Sequence, residues 1–137
     1  MNTKLTSIER LQQFGIKPSL QRIAIMQYLM ENLIHPSVDT IFNALHPAAP
    51  TLSKTTVYNT LKLLAEHGAI LEINIDDKHV RYDANIMQHA HFKCKQCGCV
   101  HDLPLSDSKF ASRKRINGFK ITESQLYYKG YCKKCSS

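Results

Sequence analysis

The sequence predicts an α+β protein with a helical first part and a strand-rich second part. Four segments in the first 68 residues carry apolar side chains at helical spacing between capping and breaking residues. After Gly68 the apolar residues alternate with a period of two, which indicates half-buried strands. In the second part, two Cys-x-x-Cys pairs indicate that a bound metal ion helps to hold the fold together.

Start and stop signals define the four predicted helices. The first covers residues 5–14 and ends at Gly15, while the N-caps of the other three are Ser19, Ser37 and Ser53. The fourth helix covers residues 53–67 before Gly68. Its apolar face consists of Val57, Leu61, Leu64 and Ala65.

A β-hairpin is predicted directly after the fourth helix. Residues 69–75 and 79–83 alternate apolar and polar side chains, and the turn sequence Asp76-Asp77-Lys78 separates them. Helices followed by a two-stranded hairpin indicate a winged helix-turn-helix, with residues 53–67 as recognition helix and 74–81 as wing. This assigns residues 1–83 to a DNA-binding domain, 84–88 to a connector and 89–137 to a second domain.

The second domain is predicted to be a small α/β unit. Residues 91–100 and 119–131 have extended patterns, and residues 106–116 form a helix candidate before Gly118. So short a domain buries little apolar surface, so we expect a structural metal or a dimer interface to stabilise it.

The two cysteine pairs, Cys94/Cys97 and Cys132/Cys135, have the spacing of a tetrahedral zinc site with four sulfur ligands. The alternatives are a redox-active pair or buried apolar cysteines. A thioredoxin-type site would lie between a strand and the start of a helix, which neither pair does. Cys99 remains outside the pairs, and is either a reactive thiol or a small buried residue.

A second metal site is indicated by His89 and His91, which alternate on one strand face and can address one ion. Asp83 and Asp102 could complete a mixed nitrogen and oxygen site, whereas His35 lies far away in the first part. Such ligands suit Fe(II), Mn(II) or Zn(II) rather than Cu(I). A histidine pair can also be an accident of a surface strand.

The polar face of the fourth helix has side chains that can read bases and hold phosphates. The candidate DNA contacts are Lys54, Thr55, Thr56, Tyr58, Asn59 and Lys62. The alternative is an ordinary solvated helix face. The net charge of +7 gives little support, because residues 1–82 hold eight basic against seven acidic side chains, and residues 83–137 ten against four.

The sequence has no secretory hydrophobic region at its start and no apolar run near the ~20 residues that span a bilayer. We therefore expect a cytoplasmic protein without membrane contact. Two other classes were weighed: an enzyme or thiol oxidoreductase, which needs an activated cysteine, and a zinc-ribbon scaffold that does not bind DNA.

Several motifs together resemble the ferric uptake regulator (Fur) superfamily over nearly the whole chain. They are Gly15-Ile-Lys-Pro-Ser-Leu-Gln-Arg22, His35-Pro36, Ser53-Lys-Thr-Thr-Val-Tyr58-Asn-Thr-Leu61, Arg81-Tyr-Asp83, His89-Ala-His91 and both cysteine pairs. The resemblance implies a homodimeric, metal-dependent bacterial repressor of palindromic operator DNA. It also implies an N-terminal winged helix, a C-terminal dimerisation domain and no enzymatic activity.

The resemblance also implies the role of each ligand. Structural Zn(II) falls to Cys94, Cys97, Cys132 and Cys135, and a regulatory Fe(II) or Mn(II) falls to His35, Asp83, His89, His91 and Asp102. Asp83 and especially Asp102 are similar to the peroxide-sensing (PerR-like) branch, in which peroxide would oxidise His35 or His89. The alternative is an iron-responsive repressor of iron uptake genes. An extra metal site is not expected, because its positions are Gln88, Ala90, Lys109 and Ser124.

Overall fold

The computed structural model describes residues 3–75, 79–86, 89–104, 115–121 and 124–136. The chain divides into two compact units, Met1–Ile86 and Met87–Ser137. Within the described ranges, no helix is long and apolar enough to cross a membrane.

The first unit contains the four predicted helices and the predicted hairpin. In chain order its elements are α1 (Thr3–Gln13), α2 (Leu20–Glu31), α3 (Val38–Leu45), a short 3-10 helix (His46–Ala48), α4 (Lys54–Glu66), β1 (Leu71–Ile73) and β2 (Arg81–Asp83). The strands β1 and β2 pair antiparallel, with Glu72 opposite Tyr82. They are shorter than the alternating pattern suggested, and the predicted turn at 76–78 lies outside the described residues.

The three predicted serine N-caps are confirmed. Each serine has an extended backbone, and its Oγ accepts a hydrogen bond from the backbone N–H three residues further on. The pairs are Ser19 with Arg22 at 3.2 Å, Ser37 with Thr40 at 3.3 Å and Ser53 with Thr56 at 3.1 Å. Such a cap is worth about 1 kcal/mol, and it fixes where each helix begins.

The core of the first unit is formed by the apolar faces that the helical spacing predicted. Its fully buried side chains include Leu11, Ile25, Met26, Leu29, Ile41, Val57, Leu61 and Leu64. Because α4 uses Val57, Leu61 and Leu64 for this core, its opposite face carries polar side chains toward solvent.

Arg10 ties α1 to both ends of the hairpin. Its Nη1 donates to the carbonyl oxygens of Ala69, at 3.0 Å, and Ala84, at 2.9 Å. Ala69 precedes β1 and Ala84 follows β2, so one guanidinium holds the base of the hairpin against the helices. Burial lowers the pKa of Arg10 from its usual value.

The second unit is built around a three-stranded sheet. Its strands are β3 (His89–Cys94), β4 (Val100–Pro104), β5 (Arg115–Ile116), β6 (Phe119–Lys120) and β7 (Tyr127–Gly130). In the sheet, β3 lies between an antiparallel β4 and a parallel β7. The remaining pair, β5 and β6, forms a separate antiparallel ribbon.

Three details of this unit differ from the sequence predictions. The predicted helix 106–116 is wrong at its last two residues, which form β5, and its residues 106–114 lie outside the described part. Asn117 and Gly118 both have positive φ, 50° and 85°, as the two-residue turn of a twisted hairpin requires. The predicted strand 91–100 is two strands joined by a turn at the first cysteine pair. In the predicted extended segment 119–131, the described strands are β6 and β7.

Candidate metal centres and nucleic-acid interface

Strand pairing brings the two cysteine pairs together. Cys94 is the last residue of β3, and it is paired with Gly130 of the parallel strand β7. The next backbone N–H, that of Lys95, donates to the Gly130 carbonyl at 2.7 Å. Cys132 follows β7 after one further residue, so the second pair emerges from the sheet beside the first.

The sulfur atoms of this cysteine cluster have the spacing that zinc requires. The Sγ atoms of Cys94, Cys97, Cys99 and Cys132 lie within 4.8 Å of one another. Zinc–sulfur bonds of about 2.3 Å place two sulfurs of a tetrahedron about 3.8 Å apart. The observed distance between the Sγ atoms of Cys97 and Cys132 is 3.8 Å. The residues therefore fit a zinc ion.

Backbone hydrogen bonds favour the ionised form of the thiol that is most deeply buried. The N–H groups of Cys97 and Cys132 each donate to Cys94 Sγ at 3.5 Å. These bonds lower the pKa of Cys94 to about 5. The N–H of Cys135 likewise lowers the pKa of Cys132. Zinc binds thiolates rather than thiols, so both shifts prepare the cluster for a cation.

Cys135, the fourth predicted zinc ligand, also reaches the cluster. Hydrogen bonds from the Cys132 thiol, followed by burial and contacts with Cys94 and Cys97, raise its pKa to about 12. Closely packed thiols resist losing all their protons unless a cation neutralises the negative charge. The high pKa is therefore the expected signature of sulfurs crowded without a counter-charge.

Cys99 belongs to the cysteine cluster, which sequence reasoning missed. Its Sγ lies 3.2 Å from Cys97 Sγ and 3.2 Å from His101 Nε2. The side chain is partly exposed, so the prediction of a small buried residue is wrong. The hydrogen bond with Cys97 is the main reason why the pKa of Cys99 rises to about 12. The Cys97-Gly98-Cys99 spacing was the available signal.

In the first unit, His35 and Asp83 form a buried pair. Their Nε2 and Oδ2 atoms are 3.4 Å apart, and their side chains are 3% and 1% exposed. Backbone hydrogen bonds align the two segments: Tyr82 N–H donates to Pro36 O at 3.0 Å, and Arg81 Nη1 donates to His35 O at 3.1 Å. The carboxylate also accepts the Asn85 N–H at 2.8 Å.

His35 has a strained backbone for a residue with a side chain, with φ at 58°. The left-handed region is uncommon outside glycine, although histidine enters it more readily than most residues. Such strain persists where the surrounding structure enforces it, and it is concentrated at functional sites. The conformation and the hydrogen bonds from β2 together hold this imidazole next to Asp83.

In the second unit, His89, His91 and Asp102 converge on one point. The Nε2 atoms of the two histidines are 2.9 Å apart. The Oδ1 atom of Asp102 lies 3.1 Å from His89 Nε2 and 3.4 Å from His91 Nε2. The two histidines share a face of β3, and Asp102 is directly opposite His91 on β4.

These distances match the edges of a metal coordination shell. Ligands about 2.1 Å from an ion are separated by about 3.0 Å when they stand at right angles, and by about 3.4 Å in a tetrahedron. The three observed separations span this range. Two imidazoles and a carboxylate fit Fe(II), Mn(II) or Zn(II).

The predicted DNA contacts lie on the outer face of α4. Lys54, Thr55, Tyr58, Asn59 and Lys62 are exposed. Thr56 is half-buried, and its hydroxyl lies 2.9 Å from Ser53 Oγ in the N-cap. Lys54 Nζ lies 3.2 Å from Asp39 Oδ1, so this charge is shared with α3.

Comparison with known proteins places this arrangement in a family. The ferric uptake regulator family profile matches residues 13–129. The peroxide-responsive repressor PerR of Staphylococcus aureus is 34% identical over 131 residues, which cover 94% of this chain and 88% of the relative. The solved ferric uptake regulator from Francisella tularensis with iron has a TM-score of 0.70 and 26% identity, covering 90% of this chain and 97% of that one. The structure of PerR from Streptococcus pyogenes, which concerns peroxide sensing and gene regulation, has a TM-score of 0.54 and 30% identity, covering 98% and 94%.

A winged helix-turn-helix followed by a small strand-rich unit with metal-ligand clusters defines a class of metal-responsive transcription regulators. The chain belongs to the ferric uptake regulator family. Members of this family are dimeric DNA-binding regulators rather than enzymes, with an N-terminal DNA-binding domain and a C-terminal dimerisation domain. The predicted fold class and the predicted absence of enzymatic activity are thereby confirmed.

Proposed function

We propose that this chain is a homodimeric repressor that binds palindromic operator DNA and senses peroxide through a regulatory Fe(II) or Mn(II) ion. The observation that carries the proposal is the convergence of His89, His91 and Asp102 within 3.4 Å. The similarity to a peroxide-responsive repressor over 94% of the chain supports the peroxide signal. Such a regulator acts in the cytoplasm, where the DNA is.

The two kinds of ligand cluster divide the work. Cys94, Cys97, Cys132 and Cys135 hold structural Zn(II), and a closed sulfur shell of this kind stabilises the second unit. His35 and Asp83 from the first unit share the regulatory ion with His89, His91 and Asp102. Shared ligation links metal occupancy to the spacing of the two recognition helices, which must match the half-sites of a two-fold operator. Metal binding therefore selects the DNA-binding state.

Bound Fe(II) would supply the electrons that reduce hydroperoxide. The imidazoles of His35 and His89 are the groups expected to gain an oxygen atom, after which they bind metal poorly. The buried position of His35, 3% exposed, keeps diffusing oxidants away from it and favours damage that begins at the ion. Loss of one ligand then releases the metal and ends repression.

Exposure of the Fe(II)-loaded protein to mild peroxide should add the mass of one oxygen atom to a peptide that contains His35 or His89. Peptide mapping by mass spectrometry measures the change, and operator binding should fall in parallel. The Mn(II)-loaded protein is the matched control, because Mn(II) gives electrons to peroxide far less readily. Unmodified histidines together with retained DNA binding would refute the peroxide-sensing mechanism.

Substitutions on α4 should separate base reading from phosphate binding. Asn59→Ala should weaken operator binding by about 1–3 kcal/mol, roughly tenfold or more, while non-specific binding changes little. Lys62→Ala should lower the salt dependence of log affinity by about one for each site contacted. Lys129→Ala, an exposed charge on β7, is the matched control. Fluorescence anisotropy over a salt series provides the measurement, and unchanged affinity in both α4 variants would exclude this helix as the reader.

The second candidate function is an iron-responsive repressor of iron uptake genes. The similarity to the ferric uptake regulator of Francisella tularensis, solved with iron, favours it. Such a protein would respond to Fe(II) without oxidation of a ligand, so the peroxide experiment also distinguishes the two functions.

A further inference from the structure

The cysteine cluster holds more thiols than a tetrahedral ion can bind. Four Sγ atoms, those of Cys94, Cys97, Cys99 and Cys132, lie within 4.8 Å of one another. Cys135 is in hydrogen-bonding contact with Cys132, Cys94 and Cys97. Structural zinc takes four ligands, so five sulfurs compete for four positions.

Three of the five sulfurs are common to both possible ligand sets. Cys94 is fully buried and accepts two backbone hydrogen bonds, and Cys97 and Cys132 have the 3.8 Å spacing of zinc-bound sulfurs. The fourth position lies within reach of two side chains from different segments. Cys135 approaches it from the turn of the second pair, and Cys99 from the start of β4.

The backbone fixes Cys99 at this position. Its carbonyl oxygen accepts the Cys94 N–H at 3.0 Å, directly across the turn that the first pair forms. Gly98, with φ at 77°, permits the chain reversal that brings Cys99 back beside Cys97. The Sγ atoms of Cys97 and Cys99 are 3.2 Å apart. A shift of about half an ångström would give them the spacing of two sulfurs on one zinc ion.

We propose that Cys99 is an alternative fourth zinc ligand that exchanges with Cys135. The inference rests on the proposed zinc site, and adds to it a ligand that the two Cys-x-x-Cys pairs do not include. In the exchange one zinc–sulfur bond forms as the other breaks, and the thiol proton passes from Cys99 to Cys135, so the charge of the site is unchanged. The cluster thus keeps its zinc when either thiol is blocked.

Cobalt(II) substitution tests the exchange, because the sulfur-to-cobalt charge-transfer band grows with each bound thiolate. Cys135→Ser and Cys99→Ser should each keep one zinc per chain and a four-thiolate cobalt spectrum. The double variant should fall to three thiolates and release zinc to a competing chelator at least tenfold faster. If Cys135→Ser already shows three thiolates, fails to fold or loses zinc as fast as the double variant, Cys99 is not a ligand.

Alkylation of the zinc-loaded wild-type chain provides a test without substitutions. N-ethylmaleimide should modify one thiol per chain, with the label divided between the Cys99 and Cys135 peptides. A label found on Cys99 alone would overturn the exchange and leave the four-cysteine zinc site intact. Cys94→Ser distinguishes the two proposals, because a full zinc content in that variant would refute the zinc site itself.

Discussion

Cys94→Ser should abolish zinc binding and unfold the second unit. The substitution removes the one sulfur of the cysteine cluster that is both fully buried and hydrogen-bonded to two backbone N–H groups. Structural zinc sites contribute about 10 kcal/mol or more, which is comparable to the whole stability of a domain. We therefore expect less than one zinc per chain, and rapid amide exchange in β3, β4 and β7.

Two measurements make this result specific. Zinc content by plasma mass spectrometry should fall in Cys94→Ser, whereas Cys99→Ser, which removes a thiol from the same cluster, should keep one zinc. Hydrogen exchange should leave α2 and α4 protected, because their core consists of helix side chains of the first unit. A zinc-replete, folded Cys94→Ser protein would contradict the assignment.

The second large effect is expected from the carboxylates of the proposed regulatory site. Asp83→Asn and Asp102→Asn keep the shape of each side chain but remove its charge, which a hard divalent cation requires. Each should raise the Mn(II) concentration for half-maximal operator binding by at least tenfold, and zinc content should not change. In the double variant, activation by Mn(II) should be lost.

Metal stoichiometry tests whether the two carboxylates serve one ion. The wild-type chain should bind one exchangeable Mn(II), and both single variants should bind that same ion more weakly in calorimetry. Two independent ions, each lost in only one variant, would refute shared ligation. Glu31→Gln, an exposed carboxylate at the end of α2, is the matched control and should behave as wild type.

Sequence reasoning succeeded where the signal is local. The serine caps at 19, 37 and 53 act within one helical turn, and the structure confirms all three. The apolar faces were likewise visible as spacing along the chain, and they form the core. Each of these features involves residues close in sequence, so intrinsic preferences decide them.

It failed where a local pattern was ambiguous or overlooked. Residues 115 and 116 were assigned to a helix from apolar spacing, although the following Asn117-Gly118 is a strong signal for a two-residue hairpin turn. Cys99 was set apart because it lies outside both Cys-x-x-Cys pairs. The turn at Gly98 folds it back onto Cys97, and this depends on the pairing of β3 with β4.

The sequence by itself determined the helices of the first unit, their caps and the chemical types of the metal ligands. Tertiary structure alone decided which ligands meet. His35 reaches Asp83 because Tyr82 bonds to Pro36 across 46 residues, and Cys132 reaches Cys94 because β7 lies parallel to β3. Both contacts depend on backbone hydrogen bonds between distant segments, and no local pattern of residues encodes that pairing.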